Sequence, residues 1–190
     1  MIYGQYKKIR DAARQCLIDY NITELPVRLE LITNSANIEV RKNSICNQLS
    51  GCESGAAFII DDQWYIVYDD ETSVGRQRLI ISHELGHIFL GHDLIYGFHG
   101  RSFDTDNPKN EIEADMFAIQ LLSPSCVLKG LDLHTAEQIS NACRVTMLVA
   151  QNRAERMEKL YKHDNFDRNH LEQVVYEQFK PFIENNKGRY

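Results

Sequence analysis

Apolar residues recur near helical spacing over residues 3–18, where Tyr6, Ile9, Ala13, Cys16 and Leu17 share one side. The chain is therefore predicted to open with a helix. After Pro26 the period shortens. Val27, Leu29 and Leu31 alternate with Arg28 and Glu30, which reads as a strand. Residues 34–51 carry no clear period and are predicted as a short helix followed by loop. Phe58-Ile59-Ile60 and Trp64-Tyr65-Ile66-Val67-Tyr68 flank Asp61-Asp62-Gln63. Two β-branched and aromatic runs around so short a polar segment predict a hairpin.

From residue 72 the period lengthens again. Thr72 or Ser73 can cap a Leu- and Ile-rich helix that runs to about Leu90. Residues 93–110 are polar, contain glycine and Pro108, and read as loop. A second strong helix is predicted over 111–122, stopped by Ser123-Pro124. Two shorter helices follow, over about 135–142 and 146–159. In the tail, Leu171, Val174, Val175, Phe179 and Phe182 make a further amphipathic segment, more often core than a lid. A helix, a small sheet and then helices only is the order of an α+β fold. The predicted division is a core over 1–125 and a helical, helix-turn-helix-like extension over 126–190.

The chain has 190 residues, 43% of them hydrophobic and 25% charged. That is an ordinary globular composition and excludes wholesale disorder. The net charge of -6 disfavours nucleic acid as a general partner. Residues 1–15 mix Lys7, Lys8, Arg10, Asp11 and Arg14 with apolar positions, so no signal-peptide core is expected. No apolar stretch is long enough to span a membrane. The five cysteines, Cys16, Cys46, Cys52, Cys126 and Cys143, have no C-x-x-C spacing. Reduced thiols in a cytoplasmic protein are the expectation, with Cys46 and Cys52 as small apolar residues rather than ligands.

The candidate chemistry lies in His83-Glu84-Leu85-Gly86-His87. Two histidines four apart on a helix differ by about 40° around the axis and about 6 Å along it, so both imidazoles can reach one ion. Glu84 sits about 100° round, beside that ion. Zinc suits imidazole ligands, and a catalytic zinc keeps one position open for water. Glu84 can take a proton from the water and later give it to a leaving amine. Gly86 costs about 1 kcal/mol in a helix interior, which implies that another backbone passes close by.

A third protein ligand is required. Glu111 and Asp115 are four apart and share a face of the 111–122 helix. Glu111 is the favoured ligand. Asp115 would accept a hydrogen bond from the far nitrogen of a ligand histidine. Glu113 and His92 are the alternative third ligands. An oxyanion needs a donor, and His99 and Tyr96, then Arg101, are the candidates in the 93–110 segment. A peptide substrate could add as a strand beside residues 64–68.

These motifs resemble the ImmA/IrrE family of metallopeptidases. The resemblance is carried by Arg78-Leu79-Ile80-Ile81-Ser82-His83-Glu84-Leu85-Gly86-His87 and Leu90-Gly91-His92, then by Glu111-Ile112-Glu113-Ala114-Asp115-Met116-Phe117-Ala118 and Leu121-Leu122-Ser123-Pro124. It extends over about 59–156. It implies a gluzincin-like zinc endopeptidase with one zinc per chain, held by His83, His87 and Glu111, with Glu84 as the base. Asp115 stands where many relatives have Asn. Members encoded by phages and mobile elements cleave or inactivate a helix-turn-helix repressor, so a protein of that kind is the implied substrate.

The segments 135–139 and 145–150 resemble a helix-turn-helix, and Thr135 with Gln138 has capping-box spacing. From Arg144 to Lys162 there are five basic and two acidic residues. A packing subdomain is the preferred reading, because no base-reading set stands out. The alternative function is a non-catalytic regulatory protein with a structural metal that binds a repressor or DNA. Structural zinc prefers four closed ligands, often cysteines, and none lies near the histidine pair in sequence.

Overall fold

A computed structural model of the chain describes every residue except 1–2, 52, 93, 98–99, 104–106, 164–165 and 167–168, and the backbone alone at 3, 5, 94–97 and 100–103. The opening helix is α1 (Tyr3–Asp19). Next comes α2 (Leu29–Ser35), where the alternation of 27–31 predicts a strand. Its buried positions are Leu29, Ile32 and Thr33, a helical i, i+3, i+4 set. The five-residue alternation overlaps that set by chance of composition.

Residues 34–51, read as helix then loop, instead supply β1 (Ile38–Lys42) and the one-turn α3 (Asn43–Cys46). The predicted hairpin is present as β2 (Gly55–Ile60) and β3 (Gln63–Tyr68). Asp61 and Asp62 turn it with φ of 49° and 60°, the two positive values of a type I′ turn. The capped helix is α4 (Val74–Leu90), whose N-cap Ser73 accepts from the Arg76 N–H.

The segment 93–110 is not wholly loop. It holds β4 (Leu94–Gly97) and β5 (Gly100–Phe103), and α5 (Pro108–Leu122) starts within it. Strands of four residues are too short to display a period. Pro108 takes the first helical position, where its missing N–H costs nothing. α6 (Ser125–Gly130) has no counterpart among the predicted elements. α7 (Ala136–Cys143), α8 (Met147–Lys162) and α9 (His170–Asn186) lie where the spacing predicts them. The Thr135–Gln138 capping box is formed.

The architecture is α+β. Among the described residues the sheet has the order β1-β3-β2-β5-β4. β1 runs parallel to β3, in a register from Ile38↔Trp64 to Lys42↔Tyr68, and the other pairs are antiparallel. β3 is flanked by β1 and β2, so residues 64–68 are not an edge to which a substrate strand could add. No described helix is long and apolar enough to cross a membrane.

Two compact units divide the chain, one of residues 29–118 and one of residues 1–28 with 119–190. The sequence places its boundary at 125/126 and keeps the first helix with the core. The structure groups α1 with the C-terminal helices, because α1 packs against α9. In the first unit α4 lies against β2 and β3, over a core that includes Ala57, Ile66, Val67, Leu85 and Phe117.

In the second unit α9 lies against α1 and α6 and buries Val175, Phe179 and Ile183. Arg14 and Glu172 form a buried ion pair at 2.8 Å, and the Ser125 hydroxyl donates to Glu172. Cys16, Cys126 and Cys143 are buried and Cys46 is half-buried, and none of these four is in a disulfide. Cys52 lies outside the described residues.

The tail helix is thus core to its unit. Phe179 is fully buried. Phe179→Ala should lower stability by about 3–5 kcal/mol, read as a lower urea midpoint with an unchanged slope. A variant as stable as wild type would mean that α9 is a detachable lid.

Candidate metal centre

His83 and His87 project from one face of α4, and their Nε2 atoms stand 3.0 Å apart. α5 supplies Glu111. Its Oε2 lies 3.2 Å from His83 Nε2 and its Oε1 3.3 Å from His87 Nε2. The three donor atoms lie within 4.8 Å of one another, and these residues are the metal-competent group among the described residues.

Gly86 is what lets α5 come so near. A Cβ built on it would lie 3.0 Å from both Cα and the carbonyl oxygen of Ala114, and 3.3 Å from Phe117 Cβ. The backbone that the glycine implies is therefore that of α5. One helical turn further on, Phe89 and Phe117 continue the contact, with ring centroids 6.1 Å apart.

Glu84 is buried beside the histidines and lines the same cavity of about 570 Å³. Gly55, at the start of β2, lies over it. A Cβ there would run into Ile80 and come within 3.1 Å of Glu84 Oε1. Sequence reasoning did not single out Gly55; a glycine opening a strand was its one signal. Burial pushes the Glu84 carboxyl up to about 7. The positive potential of His83 and a hydrogen bond from the Ala57 amide oppose that shift.

The predicted role of Asp115 has its geometry. Asp115 Oδ1 lies 2.8 Å from His83 Nδ1. A carboxylate only accepts, so His83 carries a proton on Nδ1. Burial disfavours charging His83, but Asp115, Glu84 and Glu111 outweigh it and hold its pKa above the usual imidazole value. His87 goes the other way. Burial, with His83 and His92 alongside, pushes it down to about 3.

The alternative third ligands lie elsewhere. His92 Nδ1 is 3.0 Å from His87 Nδ1, on the ring edge away from the Nε2 pair. Glu113 Oε2 is 3.4 Å from His92 Nε2. Neither joins the three-residue cluster. Among the oxyanion candidates, His99 lies outside the described residues, and Tyr96 and Arg101 are described only as backbone in β4 and β5.

The donor set fits a metal ion. Glu111 Oε1 is buried and takes no hydrogen bond among the described residues, yet it faces an imidazole nitrogen. Buried carboxylate oxygens without a partner are costly. A cation among two imidazoles and this carboxylate would satisfy all three.

The sequence profile of the peptidase family described as the IrrE N-terminal-like domain matches residues 35–155, well over half of the chain. The chain belongs to this family. The comparison with curated proteins found no match. The IrrE-like match spans α4 and α5 whole, and with them His83, Glu84, His87, Glu111 and Asp115. Membership in a peptidase family, with a triad that could hold a metal, supports a metallopeptidase hydrolase in general.

Two outcomes follow. Gly86→Ala improves helix propensity by about 1 kcal/mol, but the groups it meets are helix backbone and cannot rotate away. We expect a net loss of about 1–3 kcal/mol and weaker metal uptake, measured by urea unfolding and by chelator competition. The second concerns Glu84. Its folded pKa of about 7 lies above the ordinary carboxyl value of 4.5, so ionising it costs stability. The cost is absent below the lower value, grows between the two, and is complete above the upper. In metal-free protein, Glu84→Gln should gain on wild type across that window by roughly 3 kcal/mol. A pH-independent difference would show that Glu84 is not buried as a carboxylate.

Proposed function

We propose that the chain is a zinc endopeptidase that cuts a regulatory protein. The observation that carries this reading is the convergence of two imidazole Nε2 atoms and Glu111 beside the buried Glu84, on one cavity. Their separations of 3.0, 3.2 and 3.3 Å are short enough for all three to hold one small cation. His83, His87 and Glu111 would hold the ion. Zinc so held supplies Lewis acidity and acidifies a water molecule.

The chain's own residues do the rest. Glu84 takes the proton of the attacking water and returns it to the departing amine. A carboxyl with a pKa near working pH can do both. Asp115 keeps His83 oriented with Nε2 inward. Residues 53–57 form one wall of the cavity. Among the described residues β5 pairs with β2 only at Phe58 and Ile59, so an extended substrate would lie along Gly55–Ala57 rather than beside β3. Such a substrate is a protein segment that can unfold locally.

The resemblance to ImmA/IrrE enzymes makes a phage or mobile-element helix-turn-helix repressor the substrate of choice, in a cytoplasmic setting. Direct DNA binding has less support. One of the five basic residues between 144 and 162, Arg153, is buried and donates to Gln120.

Zinc content and repressor cleavage test the proposal together. Wild type should hold about one zinc per chain, and Glu111→Ala should lose most of it. Glu84→Gln should keep the zinc and lose cleavage by about 10²–10⁴-fold. Undiminished cleavage by Glu84→Gln sinks the mechanism. A wild type that takes up no supplied zinc leaves a binding protein instead.

A further inference from the structure

One arginine stands where its own helix favours an acid. Arg76 is the third helical residue of α4, and the N-cap Ser73 accepts a hydrogen bond from its backbone N–H. Three residues after a serine cap, a glutamate or glutamine would complete a capping box. The first turn of a helix carries partial positive charge and favours acids, yet α4 has none there. A cation at that position works against the helix. Such a departure from the local rule points to function.

The side chain reaches over the cavity that holds the histidines. Arg76 lines this cavity. Its Nη2 donates to the Ser54 hydroxyl on the facing wall at 3.4 Å, beyond the usual hydrogen-bond range. No carboxylate among the described residues pairs with it. The acids of the cavity are engaged elsewhere. Glu53 accepts from the Ser50 N–H at 2.9 Å, Asp115 holds His83, and Glu111 faces both histidines. Among the residues that line the cavity, Arg76 is the one lysine or arginine, and its charge is unanswered.

Wall and helix run side by side. Ser54 meets Arg76. A Cβ on Gly55 would meet Ile80 and approach Glu84. The Ala57 amide bonds to Glu84. Residues 54–57 therefore follow α4 from Arg76 to the candidate base. The step from Arg76 to Glu84 covers about 12 Å of helix. The step from Ser54 to Ala57 covers about 10 Å of extended chain. A peptide laid along this wall with its cut bond beside Glu84 brings a residue about three positions away against Arg76.

We propose that Arg76 is a specificity-determining residue that binds a carboxylate of the substrate about three residues from the cut bond. The inference rests on the peptidase reading of the site and names what that peptidase selects. A guanidinium and a carboxylate fit one another as a planar, doubly hydrogen-bonded pair. The carboxylate belongs to an Asp or Glu side chain or to the C-terminus of the peptide.

The test uses the full chain carrying Glu84→Gln, supplied with zinc, as a trap that holds peptides without cutting them. The probe is a library of short random peptides, made once with free C-termini and once amidated, and mass spectrometry sequences what is retained. Amidated peptides should be retained with Asp and Glu enriched about 5-fold over the input. Arg76→Glu in the trap should turn that preference toward Lys and Arg. This variant completes the capping box, so it should fold. Retention confined to the free-acid library, and abolished by Arg76→Glu, assigns the carboxylate to the C-terminus instead. Zinc-loaded wild type should cut the same library with a carboxylate about two to four positions from the cut, on one side.

Equal retention by the Arg76 and Arg76→Glu traps, or none by either, overturns the proposal. So does an acidic preference that survives Arg76→Glu. Wild type that cuts without regard to acids overturns this inference alone. Wild type that cuts nothing, while the trap keeps a preference dependent on Arg76, defeats the proposed function and leaves the carboxylate site standing.

Discussion

The backbone contact between α4 and α5 at Gly86 sets the size of the candidate metal centre. Two of its donors come from α4 and one from α5, so the separation of the helices decides whether Glu111 reaches the histidine pair. At Gly86 the helices approach until even a methyl group would press on the Ala114 backbone. Ordinary helix packing leaves about 8–10 Å between axes because side chains intervene. The glycine removes the intervening side chain, and its propensity cost of about 1 kcal/mol is offset by the geometry it permits.

Electrostatics follows from that approach. Glu84, Glu111 and Asp115 gather around two imidazoles in a partly buried space, and the pairings are unequal. His83 is surrounded by carboxylates, which hold it above the usual imidazole range. His87 is buried and touches other histidines, which drive it far below. Glu84 is pushed up to about 7, chiefly by burial. Without a cation the cluster contains a buried, unsatisfied oxygen at Glu111. With one, the same atoms form a ligand set whose far nitrogens are already engaged, by Asp115 on one side and by His92 on the other.

Much of this was legible along the chain. The long helices, the Asp61-Asp62 turn, the Ser73 cap and the Thr135 capping box each have a local signal in the sequence. The histidine pair was legible because four residues on a helix is a fixed geometry. Gly86 pointed to a neighbouring backbone because a mid-helix glycine needs a reason. What the sequence does not display has a common cause. β1, β4 and β5 are four or five residues long, too short for a period, and exist through pairing with distant strands. The strand read at 27–31 came from an alternation that helical burial of Leu29, Ile32 and Thr33 overrides.

The sequence by itself determined the candidate ligand types, their helical spacing, the glutamate between them and the glycine that lets a second helix approach. These depend on covalent order and on the fixed rise and turn of one helix. The tertiary structure decided between Glu111, which the sequence favours, and Glu113, since the two differ in which face of α5 meets α4. It also placed His92 against His87 Nδ1, outside the three-residue cluster, because a left-handed Gly91 reverses the chain there. Spacing along one element is written in residue numbers. Distance between elements is set by packing, and packing depends on residues far apart in the chain.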